Sequence, residues 1–390
     1  MRKRIIIDKA DRLYQMPHPV EEFYPHAALL PGRRQEALDL ARPRWWDSGA
    51  PPAEGSATTP VSSDIISASD AAVGRLKETI ADWVAKELSL KVDPVREVFV
   101  DGSVRRLLSL AGMAYLDPGD LALYPNPGYP IYRQVTLTYG AEPVGYHLTE
   151  KRDFKPRLKQ FSERIGKAAR IMFLNNPHNP SGAELDSEEL DELLWLAARD
   201  NILLISDAAY YPYRDEPGCS ILGSASGRRI GLEFYSLSYL TGAGKLPLGF
   251  ALGSKELIAG LQSAANVAGQ LLTRDWVERA TRVLAEYPAP QIQATRSRIR
   301  QTRPAALNLC EALSLTAVGA DAFPYLLARI PQRTSSQAYA AGALRKYGVV
   351  TLPGAAFGDL GEGYVRLTTT TGPLVYEKAV ERIEGAKRAV

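Results

Sequence analysis

Four short segments place polar residues directly after predicted β-strands, where side chains can do chemistry. A Gly-Ser pair that opens a helix can hold an anion, and a carboxylate at the end of a buried strand can meet a ligand in the cleft beyond the sheet. Taken singly, each segment is ordinary turn chemistry. The segments are Asp101-Gly102-Ser103, Asn126-Pro127-Gly128-Tyr129-Pro130-Ile131-Tyr132, Asn175-Asn176-Pro177-His178-Asn179-Pro180-Ser181-Gly182 and Asp207-Ala208-Ala209-Tyr210.

An alternation of short β-rich segments and helical stretches positions these residues. Strands that alternate with helices predict an α/β fold with a mostly parallel sheet covered on both faces. Helices are expected at Ser103–Ala114, Ile131–Leu137, Ser187–Ala198 and Lys255–Ala268, after a first helix that begins near Ala71. The predicted strands are Glu97–Val100, Leu121–Tyr124, Pro143–His147, Arg170–Leu174, Ile202–Ser206, Leu232–Leu237 and Leu248–Leu252.

Composition and hydrophobic pattern divide the chain into a predicted arm and two predicted domains. Residues 1–60 are irregular and rich in Pro and Arg, which predicts an N-terminal arm that joins the small domain. Residues 61–273 are expected to form the large α/β domain. In residues 274–390, long amphipathic helices at Trp276–Ala285 and Gln291–Leu313 precede three strands, at Tyr325–Ile330, Val349–Leu352 and Tyr364–Thr368, and a final helix at Leu374–Ala386, which predicts a smaller α+β domain.

Composition excludes several classes of protein. The 390 residues are 45% hydrophobic and 23% charged, values of an ordinary globular chain, and the net charge of +3 is too small and dispersed to indicate a nucleic-acid partner. Two cysteines and four scattered histidines offer neither a disulfide framework nor a metal site. No apolar run is long enough to cross a bilayer, and a cytoplasmic location is expected.

In their order and spacing, the four segments resemble the class I and II aminotransferases, which are fold-type I enzymes that use pyridoxal phosphate (PLP). The resemblance covers nearly the whole chain. It extends from the helix entry at Leu76–Trp83, through Tyr115–Asp120, to Pro353–Gly358 and Gly363–Leu367. It implies a homodimer with the active site at the subunit interface, and an amino acid or a related small carboxylate as the substrate.

The resemblance implies a role for each matching residue. Asp207 would keep the pyridine nitrogen of the cofactor protonated. Asn179 and Tyr210 would form hydrogen bonds with the ring's 3-oxygen, and Tyr129 would stack on the ring face. Gly102, Ser103 and Ser236 would serve the phosphate. Arg366 would bind a substrate carboxylate through its planar fork.

The segment from Ser236 to Phe250 departs from the family pattern. The lysine that normally forms the Schiff base falls on Tyr239, and the phosphate-binding arginine falls on Pro247. Val104 replaces a polar residue, and the tyrosine expected from the partner subunit is replaced near Ser69 or Asp70. Arg42, Arg44 or Lys245 are candidates to refill the phosphate site. Lys245 lies in a Gly-rich loop, where a solvated lysine is as good an interpretation as phosphate binding. A catalytic Schiff base from Lys245 is less favoured, because a flexible loop does not hold an amine within the tight tolerance that catalysis needs.

Three functions remain open from the sequence. The first is an aminotransferase-like enzyme that binds PLP, or its amine form PMP, noncovalently, with Tyr239 as acid or base if its pKa is lowered. The second is a PLP-independent enzyme that uses the same cleft, with Arg366 on a carboxylate. The third is a catalytically silent binding homologue, against which the retained Asp207 and Asn179 weigh mildly.

Overall fold

The computed structural model describes residues 37–42, 67–157, 163–214, 218–242, 246–270, 272–320, 323–331 and 334–388. Most of the predicted N-terminal arm, including Arg44, lies outside these residues. Helices are α1 (Asp70–Glu87), α2 (Val104–Tyr115), α3 (Ile131–Thr138), α4 (Glu163–Ala168), α5 (Ser187–Arg199), α6 (Ala225–Ile230), α7 (Leu237–Thr241), α8 (Lys255–Ala268), α9 (Arg274–Ala285), α10 (Pro290–Ala312), α11 (Ser336–Tyr347) and α12 (Pro373–Arg388).

The strands of the described residues form three separate sheets. They are β1 (Leu38–Asp39), β2 (Val98–Asp101), β3 (Leu121–Asn126), β4 (Glu142–His147), β5 (Ala169–Asn175), β6 (Leu203–Asp207), β7 (Gly231–Ser236), β8 (Gly249–Gly253), β9 (Thr316–Val318), β10 (Tyr325–Arg329), β11 (Val349–Val350), β12 (Leu352–Pro353) and β13 (Tyr364–Thr368).

The large sheet has seven strands in the order β2-β8-β7-β6-β5-β3-β4. Only β8 runs antiparallel to its neighbours, β2 and β7. The central strands β5 and β6 are almost entirely buried, as expected of a sheet covered on both faces by helices. The mostly parallel sheet predicted from the sequence is therefore confirmed.

The fold places the terminal residues of neighbouring strands side by side at one end of the large sheet. Asn175 pairs with Asp207 across β5 and β6, and Gly249 on β8 pairs with Ser236 on one side and Asp101 on the other. Adjacent strands are about 4.8 Å apart, so Ser236 and the segment that opens α2 lie roughly 10 Å from each other.

The four-stranded antiparallel sheet has the order β12-β13-β10-β9. β1 pairs in parallel with β11, so the short segment Leu38–Asp39 joins this part of the chain. Leu40 continues the contact, since its amide donates to Val350 and its carbonyl accepts from Thr368.

The predicted boundary at residue 273 remains a prediction. α9 follows it, yet Val277, Ala280 and Leu284 on that helix pack in the same core cluster as Leu76 and Trp83 of α1. The packing of α9 on α1 shows that this helix shares the large sheet's core.

Among the described residues, none of the helices is both long and apolar enough to cross a membrane. The same residues contain no cluster of His, Cys, Asp and Glu that is able to hold a metal ion.

Candidate active site

A buried carboxylate lies at the end of central strand β6. Asp207 is 5% exposed; its Oδ2 accepts a hydrogen bond from the Tyr132 hydroxyl at 2.8 Å and its Oδ1 accepts from the Ala209 amide at 3.1 Å. Burial raises the pKa of Asp207 from 3.8 to about 6, although both hydrogen bonds act to lower it. The carboxylate is thus held in place by neutral donors.

Tyr132 supports Asp207 from helix α3. Its ring is fully buried and stacks on Phe173 of β5, with 5.4 Å between the ring centroids. Burial raises the pKa of Tyr132 well above 10, and the neighbouring Asp207 adds to the rise, so the hydroxyl remains a donor. The sequence motif contains Tyr132, but its spacing does not reveal this role.

A hydrogen-bonded network runs from Asp207 to an arginine on β13. Asn175 Nδ2 donates to the Asp207 carbonyl at 2.9 Å, and Asn175 Oδ1 accepts from the Asn179 amide at 2.8 Å. Asn179 Oδ1 accepts from Arg366 Nη1 at 2.9 Å, and Asn179 Nδ2 donates to the Tyr210 hydroxyl at 3.4 Å. The fold therefore brings together Asp207, Asn179, Tyr210 and Arg366, which lie far apart in the sequence.

Arg366 is a buried cation, and one of its three side-chain nitrogens has no hydrogen-bond partner among the described residues. It is 3% exposed, and its Nη2 donates to the Ala41 carbonyl at 3.4 Å. Its Nε has no hydrogen-bond partner within the described part of the chain. A buried N–H without an acceptor is costly, so this geometry is suited to an anionic ligand that arrives at Arg366.

Tyr239 lies against the same network. Its half-buried ring is 5.4 Å from the ring of Tyr210 and 6.1 Å from that of Tyr213, between centroids. Burial, with nearby Tyr325, raises the pKa of Tyr239 well above 10. The lowered pKa required for a general base is therefore not found, because the cluster removes water from the phenol and the described residues supply no compensating positive charge.

Tyr129 reaches the site from the other side. Its ring meets the edge of Tyr132 at a centroid distance of 6.2 Å, and its hydroxyl accepts a hydrogen bond from Arg105 Nη2 at 2.6 Å. Tyr129 thus contacts Tyr132, which in turn donates a hydrogen bond to Asp207. Arg105, in the first turn of α2, was not singled out from the sequence because an exposed arginine near a helix start has no distinctive pattern.

The predicted phosphate residues surround the start of β8. Ser103 precedes α2 but its side chain makes no capping hydrogen bond. Ser236 Oγ accepts from the Tyr239 amide at 3.4 Å. A Cβ at Gly249 would lie 3.1 Å from the Gly102 carbonyl, so glycine permits this close approach. Lys245 lies outside the described residues.

Asp101 adds a second buried carboxylate beside this segment. Its Oδ1 accepts from the Gly102 amide at 2.6 Å and from Arg106 Nε at 2.9 Å, while its Oδ2 has no partner among the described residues. Arg42, the other candidate for the phosphate site, is exposed and lies 3.7 Å from Asp39.

The turn that carries Tyr129 docks on the segment after β12. The Gly128 amide donates to the Phe357 carbonyl at 2.8 Å, and Asn126 Oδ1 accepts from the Leu360 amide at 3.2 Å. His178 Nε2 lies 3.0 Å from the Pro127 carbonyl, and burial lowers the pKa of His178 to about 4. A neutral histidine therefore joins this turn to the loop that carries Asn179.

The sequence matches a known protein family and is similar to named relatives over most of its length. The profile of the family "Aminotransferase class I and II" matches residues 70–383. The LL-diaminopimelate aminotransferase of Aquifex aeolicus (strain VF5) is 30% identical over 316 residues, which cover 80% of this chain and 81% of the relative. That of Maridesulfovibrio salexigens is 29% identical over 311 residues, 79% of this chain and 80% of the relative.

Solved structures share the fold over almost the entire chain. A probable N-succinyldiaminopimelate aminotransferase from Thermus thermophilus has a TM-score of 0.77 at 26% identity and covers 94% of this chain and 98% of its own. A substrate-bound BacF structure from Bacillus subtilis has a TM-score of 0.82 at 23% identity, with 99% of both chains covered, which shows the fold alone. The chain described here therefore has the fold-type I architecture and belongs to the class I and II aminotransferase family.

Proposed function

We propose that this protein is an aminotransferase-type enzyme that binds PLP or PMP without a covalent bond at residue 239 and acts on an amino acid or a related small carboxylate. One observation carries the proposal: a buried network joins the backbone carbonyl of Asp207 to the Arg366 guanidinium through Asn175 and Asn179. The residues at its two ends carry a carboxylate and a guanidinium, which suit a cationic ring nitrogen and a substrate carboxylate, respectively.

The donor set fits the cofactor on its ring side. Asp207 is buried, and within the described residues its carboxylate receives only neutral donors, from Tyr132 and the Ala209 amide, so a protonated ring nitrogen would supply a positive partner. Asn179 Nδ2 and the Tyr210 hydroxyl would bond the 3-oxygen, and Tyr129 would stack on the ring. When bound, PLP supplies an electron-withdrawing ring that stabilises negative charge at the substrate's α-carbon.

A separate set of residues would bind the phosphate group of the cofactor. Ser103, whose hydroxyl does not cap its own helix, would serve the phosphate with Gly102 and Ser236. Lys245 remains a candidate for this site and for catalysis. The N-terminus of a helix such as α2 favours an anion through the helix dipole.

Arg366 would hold the carboxylate of the substrate. Its Nε points to no acceptor within the described residues, whereas Nη1 and Nη2 are held by Asn179 and the Ala41 carbonyl. Such fixed donors orient a carboxylate without further reorganisation. The names of the relatives make LL-diaminopimelate the first amino donor to test.

Tyr239 stays in the proposal as a hydrogen-bonding group beside the reacting end of the site. Its raised pKa keeps the hydroxyl neutral at physiological pH. It can then donate or accept a hydrogen bond but is a poor base. Family membership also supports a homodimer, which gel filtration with light scattering would test.

The alternative is a PLP-independent enzyme in the same cleft. The packing of Tyr239 on Tyr210 favours it, because a bulky ring occupies the position where the family places a flexible amine. Arg366 would still bind a carboxylate. A silent binding homologue would retain full function in its native pathway after Asp207→Ala.

The test combines cofactor binding with borohydride reduction. Wild-type protein titrated with PLP should show saturable absorbance changes, and reduction should leave no cofactor fixed to the chain. Tyr239→Lys should gain a pyridoxyl group on residue 239, located by mass spectrometry, whereas the matched Tyr239→Met variant should not.

Two outcomes would contradict the proposal. If neither the wild type nor Tyr239→Lys binds PLP, the PLP-independent alternative is favoured. If reduction of the wild type fixes PLP to a native lysine, such as Lys245, cofactor binding is covalent after all.

A further inference from the structure

The guanidinium of Arg366 lies on the face of Tyr325. The distance from Arg366 Cζ to the centroid of the Tyr325 ring is 3.7 Å, and that to the ring of Phe357 is 5.0 Å. Both rings are buried. A planar cation on a buried aromatic face is held in orientation as well as in position.

The register of two strands explains this contact. β10 and β13 are antiparallel, and Leu327 on β10 stands directly opposite Arg366 on β13. Tyr325 is two residues from Leu327, so its side chain is on the same side of the sheet as those of Leu327 and Arg366. Tyr325 is therefore the diagonal neighbour of Arg366. Aromatic and long side chains at diagonal positions are within reach of each other.

The hydroxyl of Tyr325 contacts a second member of the site. Its Oη lies 3.4 Å from the Tyr210 hydroxyl. Tyr210 is bonded to Asn179, and Asn179 is bonded to Arg366. Tyr325 therefore closes a ring of contacts that contains Arg366, Asn179 and Tyr210, with its face on the cation and its hydroxyl on the phenol.

We propose that Tyr325 is a positioning residue that fixes the plane of the Arg366 guanidinium for a ligand carboxylate and couples it to the Tyr210 hydroxyl. This inference rests on the proposed function, in which Arg366 binds a carboxylate and Tyr210 contacts the cofactor. Two of the terminal donors of Arg366 are engaged by the protein, so the plane of the fork decides where the unused Nε–H points. The ring of Tyr325 sets that plane.

The first test measures carboxylate binding without cofactor. Succinate, a carboxylate that has no amino group, is titrated calorimetrically into the full chain. Tyr325→Leu should weaken succinate binding by about 2- to 30-fold, the range for loss of a desolvated cation–π contact. Tyr325→Phe retains the ring and should stay within about 2-fold of the wild type.

Phe323→Leu is the matched control for packing. Phe323 lies in the same aromatic cluster, 5.8 Å from the Tyr325 ring between centroids, and is also buried. It should lose stability in thermal unfolding, yet keep its affinity for succinate. An equal loss of affinity in Phe323→Leu and Tyr325→Leu would show a general packing effect and overturn the proposal.

The second readout tests the coupling to Tyr210. Tyr325→Phe should shift the absorbance maximum of bound PLP, because it removes the hydroxyl that contacts Tyr210, while succinate affinity remains. Unchanged absorbance in a PLP-binding Tyr325→Phe variant overturns the coupling. Failure of the wild type to bind PLP overturns the proposed function and the coupling together, but the succinate series still tests the positioning of Arg366.

Three further results would overturn the positioning of Arg366. They are unchanged succinate affinity in a folded Tyr325→Leu variant, absence of succinate binding to the wild type, and a loss of more than about 10-fold in Tyr325→Phe, which retains the stacked ring. The succinate affinity of Tyr325→Phe therefore tests the positioning of Arg366 even if Tyr325→Leu fails to fold.

Discussion

Asp207→Asn should make the protein more stable at neutral pH while it weakens cofactor binding. Burial raises the pKa of Asp207 from 3.8 to about 6, so the ionised carboxylate costs folding free energy. The cost is fully present above pH 6, and it falls as the pH drops through 6 towards 3.8, where the folded chain takes up a proton that the unfolded chain does not. A neutral amide removes this dependence.

The structure gives the size of the effect. A pKa raised from 3.8 to about 6 corresponds to about 3 kcal/mol of destabilisation at pH 7.5. Asn retains one acceptor for the Ala209 amide, and its Nδ2 can donate to the Tyr132 oxygen, which can accept because hydroxyls rotate. We expect a net gain of about 1 to 3 kcal/mol, since the new hydrogen bonds are weaker than those to a charge.

Urea denaturation at pH 7.5, 6 and 4.5, in buffer that contains no PLP, measures the difference between Asp207→Asn and the wild type. That difference should be largest at pH 7.5 and shrink towards pH 4.5. Asp200→Asn is a control of opposite sign, because the hydrogen bond from Arg199 lowers the pKa of Asp200. The reasoning is refuted if Asp207→Asn is no more stable than the wild type at pH 7.5, or if the difference is independent of pH.

Further predictions concern the carboxylate site, the loop histidine and a glycine. Arg366→Lys keeps the charge but loses the fork and the stacked plane, so the KM for an amino acid should rise by about 10- to 100-fold in steady-state assays; an unchanged KM would exclude Arg366 as the carboxylate ligand. His178→Asn should remove a loss of up to about 3 kcal/mol in folding stability between pH 6.5 and 4, measured by urea denaturation, because burial lowers the pKa of His178 to about 4 and only the unfolded chain protonates in that window. An equal pH slope in both proteins would argue against it. Gly358→Ala should lower thermal stability by about 1 to 3 kcal/mol, since φ is +107° and the new Cβ would lie 2.6 Å from Asn126 Oδ1; an unchanged melting temperature would contradict this.

The strands of the large sheet were predictable because their patterns are local. Buried central strands read as short apolar runs, and the predicted boundaries differ from the observed ones by one or two residues, as at Leu121–Asn126. Helix α11 was not predicted. Its buried face consists of Ser336, Ala340, Ala343 and Leu344, which give little hydrophobic contrast with the exposed face.

The polar residues of the candidate site were identified from motifs, but not the contacts that define their chemistry. Asp207, Asn179 and Arg366 stand in recognisable segments, and the fold joins them. Tyr132 was visible within its motif, whereas Tyr325 had no signal at all, because it enters the site through the pairing of β10 with β13. Strand register is a long-range property, and a one-residue slip would send Tyr325 to the opposite face.

Residue type and local spacing are enough to indicate the α/β class and the polar residues at the strand ends, and they lead to the prediction that Tyr239 stands at the family's lysine position. Only the tertiary structure decided the protonation of these groups. Burial raises the pKa values of Asp207 and Tyr239 and leaves a donor of Arg366 without an acceptor within the described residues. Desolvation is set by what the rest of the chain packs around a side chain, which no local pattern records.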